Sequence, residues 1–301
     1  MSDSLVRTGP RPIGPELRVG PLGFGCWRLV AMTPAAARER VEAALDAGMN
    51  LVDTADVYGL DWGGGSFGAA ETLLGRVLAE APDLRQRMVL ATKGGIRPSV
   101  PYDSSRTNLV AACEASLERL GVDCIDLYQI HRPDPFTHPA EVAAALAGLR
   151  EAGKIREAGV SNHTPAQTEA LAAHLPFPLA TTQPEFSAAR LGPLRDGTFD
   201  LCVRTGLSAL AWSPLAGGRI ATGRSLSHDL VSTLDRLAGR EGVDRSALAT
   251  AFVLAHPTAP VALLGSMNLS RIRGAGAALG VRLERRDVYR IVQASEGVPL
   301  P

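Results

Sequence analysis

Apolar residues occur along the chain in short runs, separated by longer segments that are rich in Ala, Leu, Arg and Glu. Eight such runs span residues 19–25, 49–54, 88–93, 124–131, 154–161, 179–186, 207–212 and 260–265. Apolar runs of this length are typical of strands that are buried on both faces of a parallel sheet. The pattern therefore predicts eight strands, each followed by a helix.

The segments between the runs carry the signals that start and stop helices. The segment 33–48 opens with Thr33 and Pro34 and closes with Gly48, and the segment 104–121 closes with Gly121. A Thr side chain can accept the first free backbone N–H groups, Pro fits the first turn, and Gly tolerates the left-handed conformation that ends a helix. These segments are predicted to be α-helices.

Eight strand–helix units without a break in composition predict one domain over residues 1–301, folded as a TIM (β/α)8 barrel of the α/β class. The alternative is a Rossmann sheet, which requires GxGxxG directly after a strand, and "GFGCWR" (23–28) lacks the third glycine. Two Gly-Pro pairs within 5–18 predict an N-terminal hairpin ahead of the barrel. The segment 283–297 predicts an extra C-terminal helix.

Composition excludes several classes of partner. The chain has 31 basic and 31 acidic side chains, and this balance argues against nucleic acid or an anionic membrane surface. No stretch of 18 apolar residues and no N-terminal apolar core of a signal peptide is present, so we expect a cytoplasmic protein. The four cysteines form no CxxC pair, so neither disulfides nor a metal site is expected.

Polar residues stand where three neighbouring strands end. Asp53, Lys93 and His131 close the second, third and fourth runs, and Tyr58 follows Asp53 by five residues. Taken singly, Asp53 could cap a turn and His131 could be a buried histidine with a structural partner. In a TIM barrel, however, the carboxyl ends of the strands face the active site, and their joint occurrence there favours a catalytic site.

The sequence around these residues resembles the aldo-keto reductase family. The motifs "AGMNLVDTADVYG", "ATKGG" and "LYQIHRPD" are similar to those that hold the catalytic tetrad of that family, here Asp53, Tyr58, Lys93 and His131. The motifs "GVSN", "TQPEFS" and "AWSPLAGG" follow in the family order, and the resemblance runs from about residue 12 to 297, closest to a bacterial branch of unassigned substrate. It implies that an aldehyde or ketone is reduced by hydride transfer from NADPH, with Tyr58 as general acid.

Elementary electrostatics assigns a role to each of the four residues. Hydride transfer to a carbonyl carbon builds negative charge on its oxygen, which a proton donor must neutralise. An ammonium about 4 Å from a phenol favours the phenolate by about 4 kcal/mol at an effective dielectric constant of about 20. We therefore predict that Lys93 lowers the pKa of Tyr58, that Asp53 keeps Lys93 charged, and that His131 orients the carbonyl. Asp56 is interpreted as a loop residue outside the chemistry.

The resemblance also implies a binding site for NADP(H). Hydroxyl and amide groups would hold the nicotinamide carboxamide, an indole would stack on its ring, and two later loops would hold the phosphates. The predicted cofactor residues are Ser161, Asn162, Gln183, Trp212, Ser213, Leu215, Gly217, Ser266, Asn268 and Arg271. Arg271 can pair with the adenosine 2′-phosphate, which favours NADP over NAD. Gly265 departs from the family pattern, because some branches carry a phosphate-pairing lysine there; Gly274-Ala275 replace a Glu-Asn pair that often contacts the adenine.

The substrate is expected to be a small carbonyl compound. Trp27, Trp62 and Tyr102 follow the first three strands and could wall an apolar pocket, which predicts a preference for aromatic or aliphatic aldehydes over sugars. One alternative is a Schiff-base enzyme with Lys93 as nucleophile. Another is a non-catalytic or slow cofactor-binding redox-sensing subunit on the same fold. A monomer or small homo-oligomer is expected.

Overall fold

The computed structural model describes residues 4–60 and 65–299. Trp62, predicted to line the substrate pocket, lies outside the described residues. The strands in these ranges are β1 (Arg11–Ile13), β2 (Leu17–Val19), β3 (Leu22–Gly25), β4 (Leu51–Asp53), β5 (Val89–Gly94), β6 (Ile125–Ile130), β7 (Ile155–Ser161), β8 (Thr181–Gln183), β9 (Ser208–Ala211) and β10 (Val261–Leu264).

Helices follow each strand from β3 onward. The α-helices are α1 (Pro34–Asp46), α2 (Ala69–Glu80), α3 (Arg106–Leu120), α4 (Pro139–Glu151), α5 (Pro165–Ala172), α6 (Thr198–Thr205), α7 (Arg219–Thr222), α8 (His228–Glu241), α9 (Arg245–Leu254), α10 (Leu269–Arg273) and α11 (Arg285–Glu296). Short 3-10 helices cover Cys26–Arg28, Pro82–Arg87, Gly192–Leu194, Ala216–Gly218 and Gly274–Gly280.

Strands β3 to β10 close into a barrel in which every neighbouring pair is parallel. Strand β10 pairs with both β3 and β9, so the sheet has no free edge. The antiparallel pair β1–β2 precedes the barrel, and α11 follows its last strand. The predicted TIM barrel with an N-terminal hairpin and an additional C-terminal helix is therefore confirmed.

The helix boundaries follow the local chemistry of the sequence. Thr33 Oγ1 accepts a hydrogen bond from Ala36 N at 3.2 Å, which caps α1. Gly121 ends α3 in the left-handed conformation, with φ of 65°. In α5, Thr164 and Gln167 form a reciprocal capping box. Each cap satisfies backbone groups that a helix end would otherwise leave unpaired.

The interior of the barrel is apolar at the end where the strands begin. Buried residues from the strands and the hairpin form one cluster there: Ile13, Val19, Leu51, Val89, Ala91, Leu127, Ala180, Leu210, Val261 and Leu263. Asn50 links the hairpin to the barrel, because its Oδ1 accepts from Gly20 N at 2.8 Å and its Nδ2 donates to Arg18 O at 3.1 Å. The hairpin thus closes this end, and the opposite end is left for a site. None of the described helices meets the length and hydropathy that a membrane crossing requires.

The C-terminal helix is attached through a buried carboxylate. Asp287 of α11 is fully buried, and both of its oxygens accept hydrogen bonds from Arg240 of α8 at 3.0 Å. Burial by itself would raise the pKa of Asp287, but the hydrogen bonds from Arg240 and from the backbone of Glu284 lower it below its ordinary value. The pair holds α11 against α8.

Replacing Arg240→Ala should lower the free energy of unfolding by about 2–3 kcal/mol, because a buried carboxylate loses two charge-assisted hydrogen bonds. The measurement is chemical denaturation at neutral pH. Arg286→Ala is the matched control on α11, since Arg286 pairs with Glu284 at the surface and its loss should cost less than about 1 kcal/mol. Equal losses in the two variants would show that the Arg240–Asp287 pair does not attach α11.

Candidate active site

Four side chains meet at the open end of the barrel, where the strands end. Asp53 is the last residue of β4, Lys93 lies near the end of β5, and His131 directly follows β6. Side chains alternate across a strand, so Asp53 shares the inward face with Leu51, and Lys93 shares it with Ala91. Tyr58 comes from the turn after β4. The apolar interior thus ends in a polar layer at this mouth.

Lys93 is the centre of this arrangement. Its Nζ donates to Asp53 Oδ2 at 2.6 Å, to the backbone oxygen of Thr54 at 2.9 Å and to Tyr58 OH at 3.2 Å. An ammonium has three N–H donors, and all three are used. Lys93 is 0% exposed and Asp53 is 2% exposed, so the ion pair is shielded from water. The geometry fixes both the position of the ammonium and its orientation toward the phenol.

The ammonium keeps its proton in spite of its burial. Burial is the largest influence on the pKa of Lys93 and lowers it, but the negative charge of Asp53, the Tyr58 contact and their hydrogen bonds together raise it above the ordinary value of 10.5. A lysine in this state is a permanent cation at neutral pH. It is therefore a poor nucleophile, which argues against Schiff-base chemistry at this position.

The pKa of Tyr58 differs from the sequence prediction. Lys93 was predicted to bring this pKa down, and Lys93 does act in that direction, but the net pKa is raised above its ordinary value of 10.0. Burial of the phenol is the largest cause, and the charge of Asp53 adds to it. The charge and hydrogen bond of Lys93 act in the opposite direction without outweighing the rest. The phenol consequently keeps its proton at neutral pH.

His131 contributes a neutral imidazole beside the phenol. The rings of His131 and Tyr58 are 5.8 Å apart and nearly perpendicular. Burial, and then the positive charges of Lys93 and Arg132, lower the pKa of His131 well below 6.5. Its Nδ1 is buried without a hydrogen-bond partner among the described residues, so a proton on Nδ1 would be a buried, unpaired N–H. This favours the tautomer that carries the proton on Nε2.

Two amides hold the second oxygen of the Asp53 carboxylate. Asp53 Oδ1 accepts from Gln183 Nε2 at 3.0 Å and from Gln129 Nε2 at 3.3 Å. Gln183 was predicted to bind the cofactor, and its amide here contacts Asp53. The sequence analysis did not identify Gln129. The signal was present, since Leu127, Gln129 and His131 alternate along β6 and a polar residue between them must face the barrel interior.

The residues predicted to bind a nicotinamide carboxamide form one network after β7. Asn162 Nδ2 donates to Ser161 Oγ at 2.9 Å and to His131 O at 3.2 Å, and Asn162 Oδ1 accepts from Trp212 Nε1 at 3.0 Å. Ser161 Oγ donates to the backbone oxygen of Gln183 at 3.0 Å. The indole of Trp212 is thereby tied to the same strand end as the amide of Asn162.

The backbone of these loops adopts unusual conformations. Asn162, Ser213 and Ala216 have φ values of 58°, 50° and 50°, a region that residues with a side chain rarely adopt. Gly217 and Gly218 also have positive φ, and an added Cβ at either would meet no atom within 4 Å. Leu215 O accepts from Gly218 N at 2.9 Å and closes the turn. The loop leaves open space beside its backbone, as a phosphate group would require.

The segment after β10 contains the predicted adenosine-side residues. Asn268 is the N-cap of α10, where its Oδ1 accepts from Arg271 N at 3.2 Å. Ser266 Oγ accepts from Asn268 N at 3.3 Å. Arg271 is exposed and has no ion-pair partner among residues 4–60 and 65–299. Ser266, Asn268 and Arg271 are thus brought together within about one helical turn, and the guanidinium of Arg271 is directed to the surface.

The predicted substrate residues occupy the rim of the mouth. Trp27 is half-buried in the 3-10 helix that follows β3. Tyr102 is 42% exposed in the loop after β5, where it pairs through a single bridge with Ile96. Both follow barrel strands at their carboxyl ends, on the same side as Tyr58.

Asp56 lies behind the site and makes different contacts. Its backbone N donates to Lys93 O at 3.1 Å, and its side chain is 1% exposed with Oδ1 unpaired among the described residues. Burial raises its pKa well above the ordinary value of 3.8, and the negative charge of Glu71 adds to the shift. Asp56 therefore carries a proton under conditions in which most carboxyl groups are ionised.

Asp56→Asn should leave carbonyl turnover within about twofold of wild type and make the protein relatively more stable as the pH rises. The unfolded chain loses the Asp56 proton at its ordinary pKa, but the folded protein keeps the proton to higher pH. Between these two pKa values, Asp56 lowers the free energy of unfolding further as the pH rises. The measurement is the melting temperature of both proteins at about pH 5 and about pH 8, with Asp229→Asn as an exposed control. A pH-independent difference would contradict the raised pKa.

Comparison with known proteins identifies the family. The model of the Aldo/keto reductase family matches residues 21–296. The chain belongs to the aldo/keto reductase family, whose members are oxidoreductases that act on the carbonyl groups of small molecules. The family resemblance found in the sequence is confirmed, and the protein is expected to be an enzyme of carbonyl reduction in general.

Full-length relatives and a solved structure agree with this assignment. The chain is 47% identical to a protein of Novosphingobium aromaticivorans named 6-dehydroglucose reductase, over 100% of both chains. It is 35% identical to Oxidoreductase YdhF of Escherichia coli, over 96% of this chain and 97% of the relative. The crystal structure of the thermostable aldo-keto reductase Tm1743 with the inhibitor epalrestat superposes with a TM-score of 0.81 at 25% identity, covering 95% of this chain and 99% of the other.

Proposed function

We propose that this protein reduces an aldehyde to the alcohol by hydride transfer from NADPH, with Tyr58 as the general acid. The main support for the proposal is the hydrogen bond from Lys93 Nζ to Tyr58 OH at 3.2 Å. The same Nζ donates to Asp53 Oδ2 at 2.6 Å, which fixes the ammonium in place. A protonated phenol and a fixed cation beside it are the two groups that a developing alkoxide requires.

The protonation states of the site support this chemistry. When bound, the cofactor supplies the hydride, and the carbonyl oxygen gains negative charge. Tyr58 holds a proton at neutral pH and gives it to that oxygen, and the phenolate left behind lies against the ammonium of Lys93. The neutral His131 can donate a second hydrogen bond from Nε2 to the carbonyl oxygen. An alcohol is a weaker acid than a phenol, so the proton transfer is favourable even with the pKa of Tyr58 raised.

The cofactor site follows from the loops after β7, β9 and β10. Ser161, Asn162 and Gln183 would hold the nicotinamide carboxamide, and Trp212 would stack on the ring. The turn from Ser213 to Gly217 would hold the pyrophosphate with backbone N–H groups, and Arg271 would pair with a 2′-phosphate. The open backbone at Gly217 and the exposed guanidinium of Arg271, which has no ion-pair partner within the described ranges, support this arrangement. NADPH is therefore proposed over NADH.

The name of a full-length relative suggests a particular substrate to test. Sequence analysis predicts apolar aldehydes, but a protein that is 47% identical over both chains is named 6-dehydroglucose reductase. We therefore propose 6-dehydroglucose, a glucose oxidised to an aldehyde at carbon 6, as the first substrate to test. The test is to compare kcat/KM, from NADPH consumption, for this sugar, an aromatic aldehyde and an aliphatic aldehyde. A higher kcat/KM for either apolar aldehyde would reject the sugar as the preferred substrate.

The same assay addresses the redox-sensing alternative. An enzyme should consume many equivalents of NADPH per protein molecule, whereas a sensing subunit would stop near one. A cytoplasmic location and a monomeric or small homo-oligomeric state stay predictions.

Tyr58→Phe should reduce kcat for carbonyl reduction by at least about a hundredfold, because the proton donor is lost while the ring that packs in the site is kept. NADPH affinity, measured by quenching of tryptophan fluorescence, should stay within about twofold of wild type. Tyr289→Phe removes an equivalent hydroxyl on the exposed face of α11 and should leave both quantities unchanged. Normal turnover by the Tyr58 variant would remove Tyr58 from its role.

Arg271→Ala should weaken NADPH binding by about tenfold or more and change NADH binding by less than about twofold, because only NADPH carries the 2′-phosphate. Fluorescence titration with both cofactors measures the two affinities. Arg273→Ala is the matched control on the same helix, since Arg273 pairs with Glu39 at 3.5 Å. If both cofactors lost affinity equally, the 2′-phosphate would bind elsewhere.

A further inference from the structure

Gln129 has a buried amide inside the barrel, and the proposed reaction assigns no role to it. We propose that it is a positioning residue: it holds the Asp53 carboxylate in the orientation that presents Lys93 to Tyr58. This inference rests on the proposed function, because its kinetic consequence concerns carbonyl reduction.

The two oxygens of Asp53 have separate partners. Oδ2 faces Lys93 at 2.6 Å, and Oδ1 accepts from Gln183 Nε2 at 3.0 Å and Gln129 Nε2 at 3.3 Å. A carboxylate that is bound on one oxygen alone can rotate, whereas donors on Oδ1 fix the plane that directs Oδ2 at the ammonium. Gln129 is 0% exposed, so no water competes for this hydrogen bond.

The orientation of the Gln129 amide is itself determined. Its Oε1 accepts from Gln183 Nε2 at 3.3 Å and from Thr181 Oγ1 at 3.4 Å. Rotating the amide by half a turn would place its NH₂ group against the Gln183 amide and its oxygen against the Asp53 carboxylate. Both contacts would be unfavourable, so the network presents a donor to Asp53.

The backbone of the neighbouring strand makes room for this network. Gly159 of β7 lies beside it, and a Cβ added there would meet Thr181 Oγ1 at 2.0 Å and Gln129 Cγ at 3.2 Å. A larger residue at this position would displace the hydroxyl that orients Gln129. The arrangement therefore depends on three strands, β6, β7 and β8, in addition to the strand that carries Asp53.

Gln129 also differs from Gln183 in what else it is expected to bind. Gln183 belongs to the group proposed to hold the nicotinamide carboxamide, so its amide has two possible partners. Gln129 lies between Asp53, Gln183 and Thr181, and within the described part of the chain its NH₂ group donates to Asp53 while its oxygen accepts from the other two.

The first test is Gln129→Leu, which keeps the volume of the side chain and removes its donor. We expect kcat to fall about tenfold and the KM values for the carbonyl and NADPH to stay within about twofold. Thr250→Val is the control, since it removes a different buried polar group, a hydroxyl that donates to Ser246 O outside the barrel, and should leave kcat unchanged. An unchanged kcat in the Gln129→Leu variant, with a normal melting temperature, would overturn the proposal.

The second test needs no cofactor and no turnover. The chain has two lysines, Lys93 and Lys154, so NMR of protein labelled at the lysine side chains gives two signals, one from a buried and one from a half-buried ammonium. Asp53 raises the pKa of Lys93 through its charge and its oriented hydrogen bond, so a carboxylate that turns away once Gln129 no longer holds it should let Lys93 titrate at lower pH in Gln129→Leu. Lys154→Arg assigns the signals. Identical titrations of Lys93 in the two proteins would overturn the proposal.

Gln129→Glu covers the case in which the leucine variant does not fold. At low pH the introduced carboxyl is protonated and can donate to Asp53 Oδ1 as the amide does; at higher pH it is ionised and repels Asp53. We expect kcat relative to wild type to rise as the pH falls, and a constant ratio would overturn the inference. If the wild-type protein reduced no carbonyl compound, the proposed function would fail, and the Lys93 titration alone would decide the role of Gln129.

Discussion

The active end of the barrel depends on one buried ion pair, between Lys93 and Asp53. Removing two charges from water costs several kcal/mol for each ion, so such a pair persists only where every donor and acceptor is used. Here the ammonium has three acceptors, and the carboxylate has the ammonium and two amides. Both charges are carried by strands of a closed sheet, which cannot move apart to admit water. The position of the phenol follows from this constraint.

The ion pair acts on Tyr58 in two opposing ways. The ammonium favours the phenolate, but the carboxylate that keeps the ammonium charged favours the phenol, and burial favours the phenol most. In the proposed reaction, a site with this balance keeps the proton on Tyr58 at rest and releases it only when a stronger base, the developing alkoxide, lies against the hydroxyl. In this proposal the raised pKa of Tyr58 retains the proton, and the hydrogen bond from Lys93 at 3.2 Å stabilises the anion that remains after transfer.

Much of this structure could be predicted from the sequence, because its signals are local. The apolar runs predicted the strands, caps such as Thr33 predicted the ends of the helices, and the position of Asp53 and Lys93 at strand ends predicted that they face the active end of the barrel. The direction of the pKa shift of Tyr58 could not be predicted, because it depends on how much water the folded site excludes. Alternation along the strand could have placed Gln129 inside the barrel, but its partners could not be predicted, because they lie on neighbouring strands.

The polar layer at the mouth, formed by Asp53, Lys93, Gln129, Thr181 and Gln183, lies directly above the apolar cluster that fills the rest of the barrel. Below this boundary, side chains stabilise the fold through the burial of apolar surface, and a change in their volume lowers the free energy of unfolding. Within the layer, each side chain acts by directing a hydrogen bond at its neighbour. A substitution of equal volume can therefore preserve the fold and still change the pKa of a neighbouring group. Side chains of the rim loops, such as Tyr102, lie outside this layer, so a change there leaves the hydrogen bonds of Asp53 and Lys93 in place.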